Sequence, residues 1–524
     1  MELTAMNRRI VLGLLLTGVT GAAMAQEGKQ VLDKMVLQEV SIDSRNSALL
    51  QTVRTSNIGE STVSYMVEDG DFKHPLLAAQ SHYFDFSSKR YQEFKGWKLY
   101  GRFDLRTGIE KDVPHTSQLD PLRLNPYILM DSLQGDWNKQ RYGLEVKVAS
   151  PFFKDRVAVG LGLKYAVNTG ARQRDPRPEN TQNDLELIPS VAYKINDRNI
   201  LGLFGSYNYL GEDVKITNVN YNVAHNLYKL LGLGEYEGSS AIFLSSADII
   251  RRYAGNRFGG GLNYSYANGG FRSHLEGFFQ QHTEKATDGS TYPKNAGEHR
   301  YKRYGFQADL SQTTTSGIHQ LRAEWIQTDI ENEEFHQYQD PITRNYVTLF
   351  SAVLNTNLVT QTALRYQFGR LKGDKLSWKA GAKAQYHGWD NRYASNRSQQ
   401  TVDRMQYEVD FDKYFTSADQ SGLVLHAGVG YSDAFKTIFN YEEKAYSTNF
   451  IAKEILYPTN AFMSTDFWQI NAAVQYVFKP TAKSGTQFYI KASGGYLKPT
   501  EGNAYFAKSM SRMNGQLAIG IFSF

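Results

Sequence analysis

The 524-residue chain contains no cysteine. No disulfide framework and no thiolate metal site is therefore available to it. Proline is sparse, at 13 residues, and no proline-rich, serine-rich or single-sign charge tract marks a linker. No apolar run reaches the ~20 residues that a membrane helix requires. Lys and Arg total 58 against 53 Asp and Glu, a formal net charge of only +5. Over this length that is too small to point to nucleic acid as a partner. The 11 histidines show no H-x-H or H-x-x-x-H spacing, so neither a metal nor a cofactor is expected. What the chain has instead is 34 Tyr, 29 Phe and 44 Gly. A Tyr- and Gly-rich, moderately polar chain with little helical patterning suits a large β architecture.

The pattern is clearest between Tyr142 and Val167. Tyr142, Leu144, Val146 and Val148 precede the turn Pro151-Phe152-Phe153-Lys154-Asp155, and Val157, Val159, Leu161, Leu163, Tyr165 and Val167 follow it. The interleaved residues are charged, Gly or Ala. Period-two alternation puts the two sets on opposite faces of a β-hairpin. One face is wholly apolar, as a lipid-facing surface would be.

The N-terminus fits an exported chain. Arg8-Arg9 precede the apolar run Ile10 to Leu16, and Ala23-Met24-Ala25 precedes Gln26. This order predicts a secretory signal peptide, residues 1–25. Without an apolar helix, a chain that spans a membrane must do so as a closed β-barrel, because every backbone group must be paired inside lipid.

From Phe94 onward the alternation recurs in hairpins joined at Asn196-Asp197-Arg198-Asn199, Asn268-Gly269-Gly270, Thr315-Ser316-Gly317, Lys372-Gly373-Asp374, Asp419-Gln420 and Pro480 to Gly485. With the Tyr142–Val167 hairpin, one strand before it and one at the C-terminus, the count is about 16 strands, in a range of roughly 14–18. Between hairpins the connections look long, at 107–140, 210–255, 330–360 and 434–464 among others. The expected fold is all-β: a transmembrane antiparallel β-barrel with short periplasmic turns and long extracellular loops. Residues 26–93 lack the strong rhythm, although Gly59–Val67 and Ser81–Phe86 have strand character. They are expected to form a periplasmic or plug segment, with the barrel occupying 94–524. Pro189, in mid-strand, is expected to mark a bulge. Asp248 to Arg252 suggests a short helix. Gly259-Gly260-Gly261 lies in a strand pattern with no following helix or Lys, so it reads as a kink or close-packed strand rather than a phosphate loop.

The signal peptide, the Tyr/Gly-rich strands, openings such as Lys98-Leu99-Tyr100-Gly101-Arg102-Phe103 and the terminal Phe524 together resemble the outer-membrane β-barrel proteins of Bacteroidetes, of the porin or TonB-receptor-accessory sort. The resemblance implies a bacterial outer-membrane location and lipid contact. It also implies insertion by barrel-assembly machinery that reads the last strand, and a surface lipoprotein or TonB-type transporter as a possible partner class. It brings no catalytic residues. Leu37-Gln38-Glu39-Val40-Ser41-Ile42 is similar to the energy-coupling box of TonB-dependent receptors, although such receptors carry a fuller plug and more strands.

If the apolar positions face lipid, the lumen receives Arg102, Lys147, Lys164, Arg272, Arg303, Arg322, Arg365, Lys379 and Lys383, with Glu145, Glu276 and Asp309 among the acids. Clustered bases in a confined pore concentrate anions. The other possibility is a mixed ion-pair network that fills a plugged lumen. His274 and Glu276 point inward together, but nothing marks a nucleophile, so no enzymatic activity is expected. The expected function is a porin or gated channel for small polar or anionic solutes. The alternative is an accessory barrel that binds a surface lipoprotein or TonB-dependent transporter.

Overall fold

The computed structural model describes residues 28–54, 57–220, 222–223, 225–242, 249–416, 421–442, 449–479 and 486–524. The predicted signal peptide and the expected turns at Asp419-Gln420 and Pro480 to Gly485 lie outside them. The described strands are β1 (Ile58–Asp69), β2 (Gln80–Phe94), β3 (Trp97–Thr116), β4 (Leu129–Ala149), β5 (Val157–Arg172), β6 (Arg177–Asn196), β7 (Asn199–Thr217), β8 (His225–Gly232), β9 (Glu235–Ile242) and β10 (Ile249–Asn268). They continue with β11 (Phe271–Asp288), β12 (Lys294–Thr313), β13 (Gly317–Gln339), β14 (Tyr346–Lys372), β15 (Lys375–Tyr393), β16 (Ser398–Thr416), β17 (Gly422–Asn440), β18 (Phe467–Phe478), β19 (Thr486–Pro499) and β20 (Arg512–Ser523). Two helices, α1 (Gly28–Gln38) and α2 (Tyr457–Met463), lie outside the sheet.

The wall is a transmembrane antiparallel β-barrel of 18 strands, β1 to β7 and β10 to β20. It closes where β1 pairs with β20, from Gly59↔Ser523 to Asp69↔Met513, and β7 passes directly to β10. The hairpin β8–β9 stands off the wall, attached to it through Leu129↔Lys229 to Asp131↔Leu227 of β4 and β8.

The two strands beyond the expected sixteen are β1 and β2. The barrel therefore starts at Ile58, and of the expected plug segment the described residues 28–54 lie off the wall below it, with the connection 70–79 at the other end. The reason is weak contrast. Along β1 the inward set is Glu60, Thr62, Ser64, Met66 and Glu68, and the outward set includes Gly59, Ser61, Val63 and Tyr65. Neither face is uniformly apolar.

Several expected loops are also strand. β13 has 23 residues and β14 has 27, well beyond the ~9–11 needed to cross lipid. Their upper halves stand in water, where the outer face no longer needs to be apolar and the alternation fades. Ile249 to Arg252 opens β10 rather than a helix. At Pro189 there is no bulge: the β6–β7 register is the same on both sides, Leu187↔Tyr207 and Ser190↔Phe204. Gly205 lies at the level of Pro189, where the ring needs no partner hydrogen bond. Gly259 to Gly261 sit in a close-packed strand, since a Cβ on Gly261 would collide with the Gly277 carbonyl and the Phe204 ring. Gly269 (φ 58°) and Gly373 (φ 62°) make the tight turns, in the left-handed region that glycine enters without strain.

The outer face carries the apolar set. Leu144, Leu161, Leu203, Leu262, Val409, Ile470 and Leu517 are all exposed, Leu262 by 66 %. Aromatic rings border this belt. Phe415 and the stacked Phe478 and Phe488 lie toward the short turns, and Tyr386, Phe435, Tyr431 and Trp468 toward the long connections. Aromatic rings at two heights are the signature of the two membrane interfaces. The short-turn end is termed lower below, and the other end upper.

Candidate functional site

The lower mouth is crossed by residues 28–54. α1 buries Leu32, Met35 and Leu37, spaced three and two apart on the side turned to the wall. Leu37 packs with Ile318, Leu376, Tyr414 and Val424. Leu32 and Met35 join Leu50, Val53, Val477, Tyr489 and Phe522. Lys29 Nζ bonds Asp33 Oδ1 at 2.6 Å, and Tyr414 donates its hydroxyl to Asp33 Oδ2 at 2.7 Å. Burial alone would push the Asp33 carboxyl up, but the ammonium groups of Lys29 and Lys379 and these hydrogen bonds hold it below the usual carboxylate range.

Beyond α1 the chain turns through residues 39–46 and enters a short 3₁₀ helix, Ser47–Thr52, capped by Asn46. This stretch is held by polar groups of the wall. Glu276 is the focus. Its Oε2 accepts from Ser44 Oγ at 2.7 Å and from Asn263 Nδ2 at 2.6 Å, and its Oε1 from Arg45 Nη1 at 2.9 Å. His274 Nε2 lies 3.5 Å from the same carboxylate, with both residues buried. Asn46 Nδ2 donates to the Val191 carbonyl at 2.9 Å and to Asn263 Oδ1 at 3.0 Å. Glu39 is ion-paired to Arg272, and Asp43 lies 3.0 Å from Arg322. Glycines on the inner face make room. A Cβ on Gly160 would collide with the Ala48 backbone, and one on Gly202 with the Asn46 amide.

The upper mouth is narrowed differently. The connection 117–128, the hairpin β8–β9 and the helical stretch 450–463 all fold inward. Tyr127, Leu129, Val214, Ile216, Leu227 and Tyr253 form one buried cluster. Leu76, Ile128, Met130, Tyr228, Ile451 and Ile455 form a second, with Tyr228 stacked on Phe450 at 5.1 Å. Leu233 and Leu456 meet Tyr393 in a third. Arg123 runs between Glu212, at 2.6 Å, and Glu284, and lies over the Tyr253 ring at 4.5 Å. Arg251 pairs with Asp288 through two hydrogen bonds, at 2.6 and 2.8 Å.

Between the two caps, inward-facing side chains keep contact with solvent. Arg102 and Arg106 are each 47 % exposed and Lys164 48 %, although all three point away from lipid. A solvated chamber therefore separates the caps.

All twelve residues singled out in the sequence lie on the inner face, but in different settings. Arg272, Arg322 and Glu276 bind the lower cap, as does Lys147, which donates to the Ser44 carbonyl at 3.1 Å. Glu145 lies 3.9 Å from Lys147. Asp309 is paired with Arg322, Lys379 with Asp412 at 3.0 Å, and Arg365 with Asp410 at 2.8 Å. Arg102 pairs with Asp104 at 2.7 Å and Lys164 with Glu186 at 3.7 Å. Arg303 and Lys383 have no carboxylate partner among the described residues. The mixed ion-pair network is thus present, concentrated where the lower cap docks. What the sequence did not reveal were the partners on the cap itself, Glu39, Asp43, Ser44 and Arg45, which lie more than 100 positions from the wall groups they meet. The inward Gly160 and Gly202 were the one available hint.

Leu37 to Ile42, similar to an energy-coupling box, is packed into the mouth. The Leu37 carbonyl accepts from Ser311 Oγ at 2.7 Å and the Val36 carbonyl from Gln320 Nε2 at 3.0 Å.

No curated protein matches the chain in sequence. Among solved structures it is similar to BauA, the ferric preacinetobactin receptor from Acinetobacter baumannii, with 9 % identity and a TM-score of 0.41 over 89 % of this chain and 80 % of that one. It is similar to the RagAB peptide importer in its closed-closed state, with 5 % identity and a TM-score of 0.41 over 89 % and 87 %. It is also similar to OccK11 (OpdR) of Pseudomonas aeruginosa, with 9 % identity and a TM-score of 0.33 over 89 % and 96 %. By sequence the chain belongs to a family of unknown function (DUF6850), whose model matches residues 47–523.

Proposed function

We propose that this protein is a gated transport barrel of the bacterial outer membrane, without enzymatic activity, that admits small polar or anionic solutes. The observation that carries the reading is the lower cap. One contiguous N-terminal segment closes the mouth of an 18-stranded wall, below a solvated chamber lined by Arg102, Arg106, Lys164, Arg303 and Lys383. Among the described residues the cap's one covalent link to the wall is the chain leading to Ile58, so it can leave without breaking the barrel. A periplasmic partner of the TonB type that pulled on the chain before Gly28 would draw α1 out first, and Leu37 to Ile42 with it. The outer apolar belt and its two aromatic borders support the membrane placement, and the last strand, β20, with Phe524 after it, is the segment that assembly machinery would read.

The test is ion selectivity in planar bilayers, using a chain that lacks residues 28–54. Reversal potentials should show anion preference, and Arg303→Glu with Lys383→Glu should reverse it. Lys379 is a poorer choice because Asp412 already neutralises it. Selectivity indifferent to both substitutions would remove the assignment of these residues to the solute path.

A further inference from the structure

Arg303 stands in the lumen without a carboxylate partner among the described residues. Its Nε donates to Thr328 Oγ1 at 3.1 Å, and its guanidinium lies over the Tyr301 ring at 5.0 Å. Its two terminal nitrogens make no hydrogen bond with the described residues. The inner-face positions around it are neutral: Gln280 and Thr328 stand opposite in the flanking strands, with Tyr301, Gly305, His282 and Ile330 above and below. The nearby acids are committed elsewhere, Glu186 to Arg257 and Lys164, Glu276 to Arg45, and Glu284 to Arg123. A half-buried guanidinium without a counter-charge is costly to keep, unless something outside the chain supplies the charge.

The surroundings say what that is. The Thr328 bond and the Tyr301 ring fix the plane of the guanidinium and leave its terminal fork free. A fixed planar fork matches the two oxygens of a carboxylate or phosphate. Arg257 reaches the hydroxyl of the same residue, with Nη1 3.3 Å from the Tyr301 oxygen. That bond uses the hydroxyl oxygen as acceptor and leaves its proton available. The Gln280 amide makes no hydrogen bond among the described residues, and the buried His282 Nδ1 likewise has no partner. Two guanidinium groups, a hydroxyl and an amide thus gather around one ring in the chamber wall.

We propose that Arg303, with Arg257, Tyr301 and Gln280, forms a binding site for an oxyanion group, carboxylate or phosphate, carried by a solute in the chamber. The site deepens the transport reading by naming the group recognised. It is tested on the full chain in non-ionic detergent at low ionic strength, by calorimetric titration with inorganic phosphate in one arm and succinate in the other, with chloride as the control. At least one oxyanion should bind well above chloride, and the arm that responds tells phosphate from carboxylate. Arg303→Gln should weaken binding by about tenfold or more, and Arg303→Lys should recover only part of it, because an ammonium keeps the charge but not the fork. Lys383→Gln should leave binding unchanged. The unfolding midpoint of Arg303→Gln should not fall, since an unpaired cation has been removed; a fall would mark a structural role and overturn the site. Equal binding by Arg303→Gln, or full recovery by Arg303→Lys, would also overturn it. Binding with no conductance from the cap-deleted chain would leave the site and remove the transport reading, and conductance without binding would do the reverse.

Discussion

The lower and upper caps close the same barrel by different physics. Among the described residues the lower cap is one continuous segment, with α1 and the 3₁₀ helix packed through Leu32, Met35, Leu37, Leu50 and Val53 and the stretch 39–46 held by charged and polar groups around Glu276, Arg272 and Arg322. The upper cap is assembled from four separate connections, 70–79 among them, each anchored at both ends in wall strands and joined through buried aromatic and aliphatic clusters. Removing the first requires breaking hydrogen bonds, ion pairs and the apolar contacts of Leu32, Met35 and Leu37 along one segment. Removing the second requires unpacking Tyr127, Tyr253, Tyr228 and Leu456 from different parts of the sequence at once. On the proposed reading, the lower mouth is the gate and the upper one a permanent constriction.

The sharpest way to test the contrast is to remove a central contact from each cap. Glu276→Ala leaves Arg45 without its counter-charge and takes the acceptor from Ser44 and Asn263. Breaking a buried pair in this way costs about 3–5 kcal/mol. Hydrogen exchange in residues 28–54 should accelerate by orders of magnitude while the wall strands stay protected. Tyr127→Ala, at a cost of about 3–5 kcal/mol, should instead loosen the upper rim and lower the unfolding midpoint, with no change in exchange at 28–54. If Tyr127→Ala frees the lower segment, the two caps are one unit and the contrast fails.

A smaller effect follows from packing. Gly160→Ala forces a methyl group into the Ala48 backbone, an overpacking penalty of about 1–3 kcal/mol. It should detach the 3₁₀ helix at Ser47–Thr52 while α1 stays docked, visible as exchange confined to that helix.

The smallest effect is a pH response of the upper cap. His74, in the connection after β1, packs edge-on against Phe462 at 5.8 Å and accepts from the Leu76 backbone N–H. Burial, with a smaller contribution from Lys73, lowers its pKa from 6.5 to about 4. The unfolded loop therefore takes up a proton first. Docking of this loop is at full strength above pH 6.5 and weakens as pH falls from there toward 4, by about 1–2 kcal/mol at pH 5. Exchange in residues 70–79 should rise over that window, and His74→Gln should remove the dependence. A response of residues 28–54 over the same window would contradict the assignment to the upper cap.

The barrel itself was legible because lipid imposes one chemistry on the outer face. Leu144, Val146, Leu161 and Leu163 alternate with Glu145, Lys147, Gly160 and Gly162, and no soluble core requires that pattern over so many hairpins. Where lipid does not reach, the pattern weakens. The upper halves of β13 and β14 stand above the lipid, where the outer face need not be apolar, and read as loops, and β1 and β2 lack a uniformly apolar outer face. The inward direction of Arg303, Arg322 and Lys383 follows from strand parity alone. Their partners do not, because Arg322 to Asp43 and Glu276 to Arg45 are contacts across the lumen that no local pattern encodes. The same holds for Gly160 and Gly202, whose missing side chains carry meaning only once the segment that fills the space is known.

The most direct test of the gate is single-channel recording of the full chain beside a chain lacking residues 28–54, each reconstituted in planar bilayers. The full chain should be silent or open rarely, and the shortened chain should conduct steadily. Steady conductance of the full chain, or silence of both, would contradict a gate at the lower mouth.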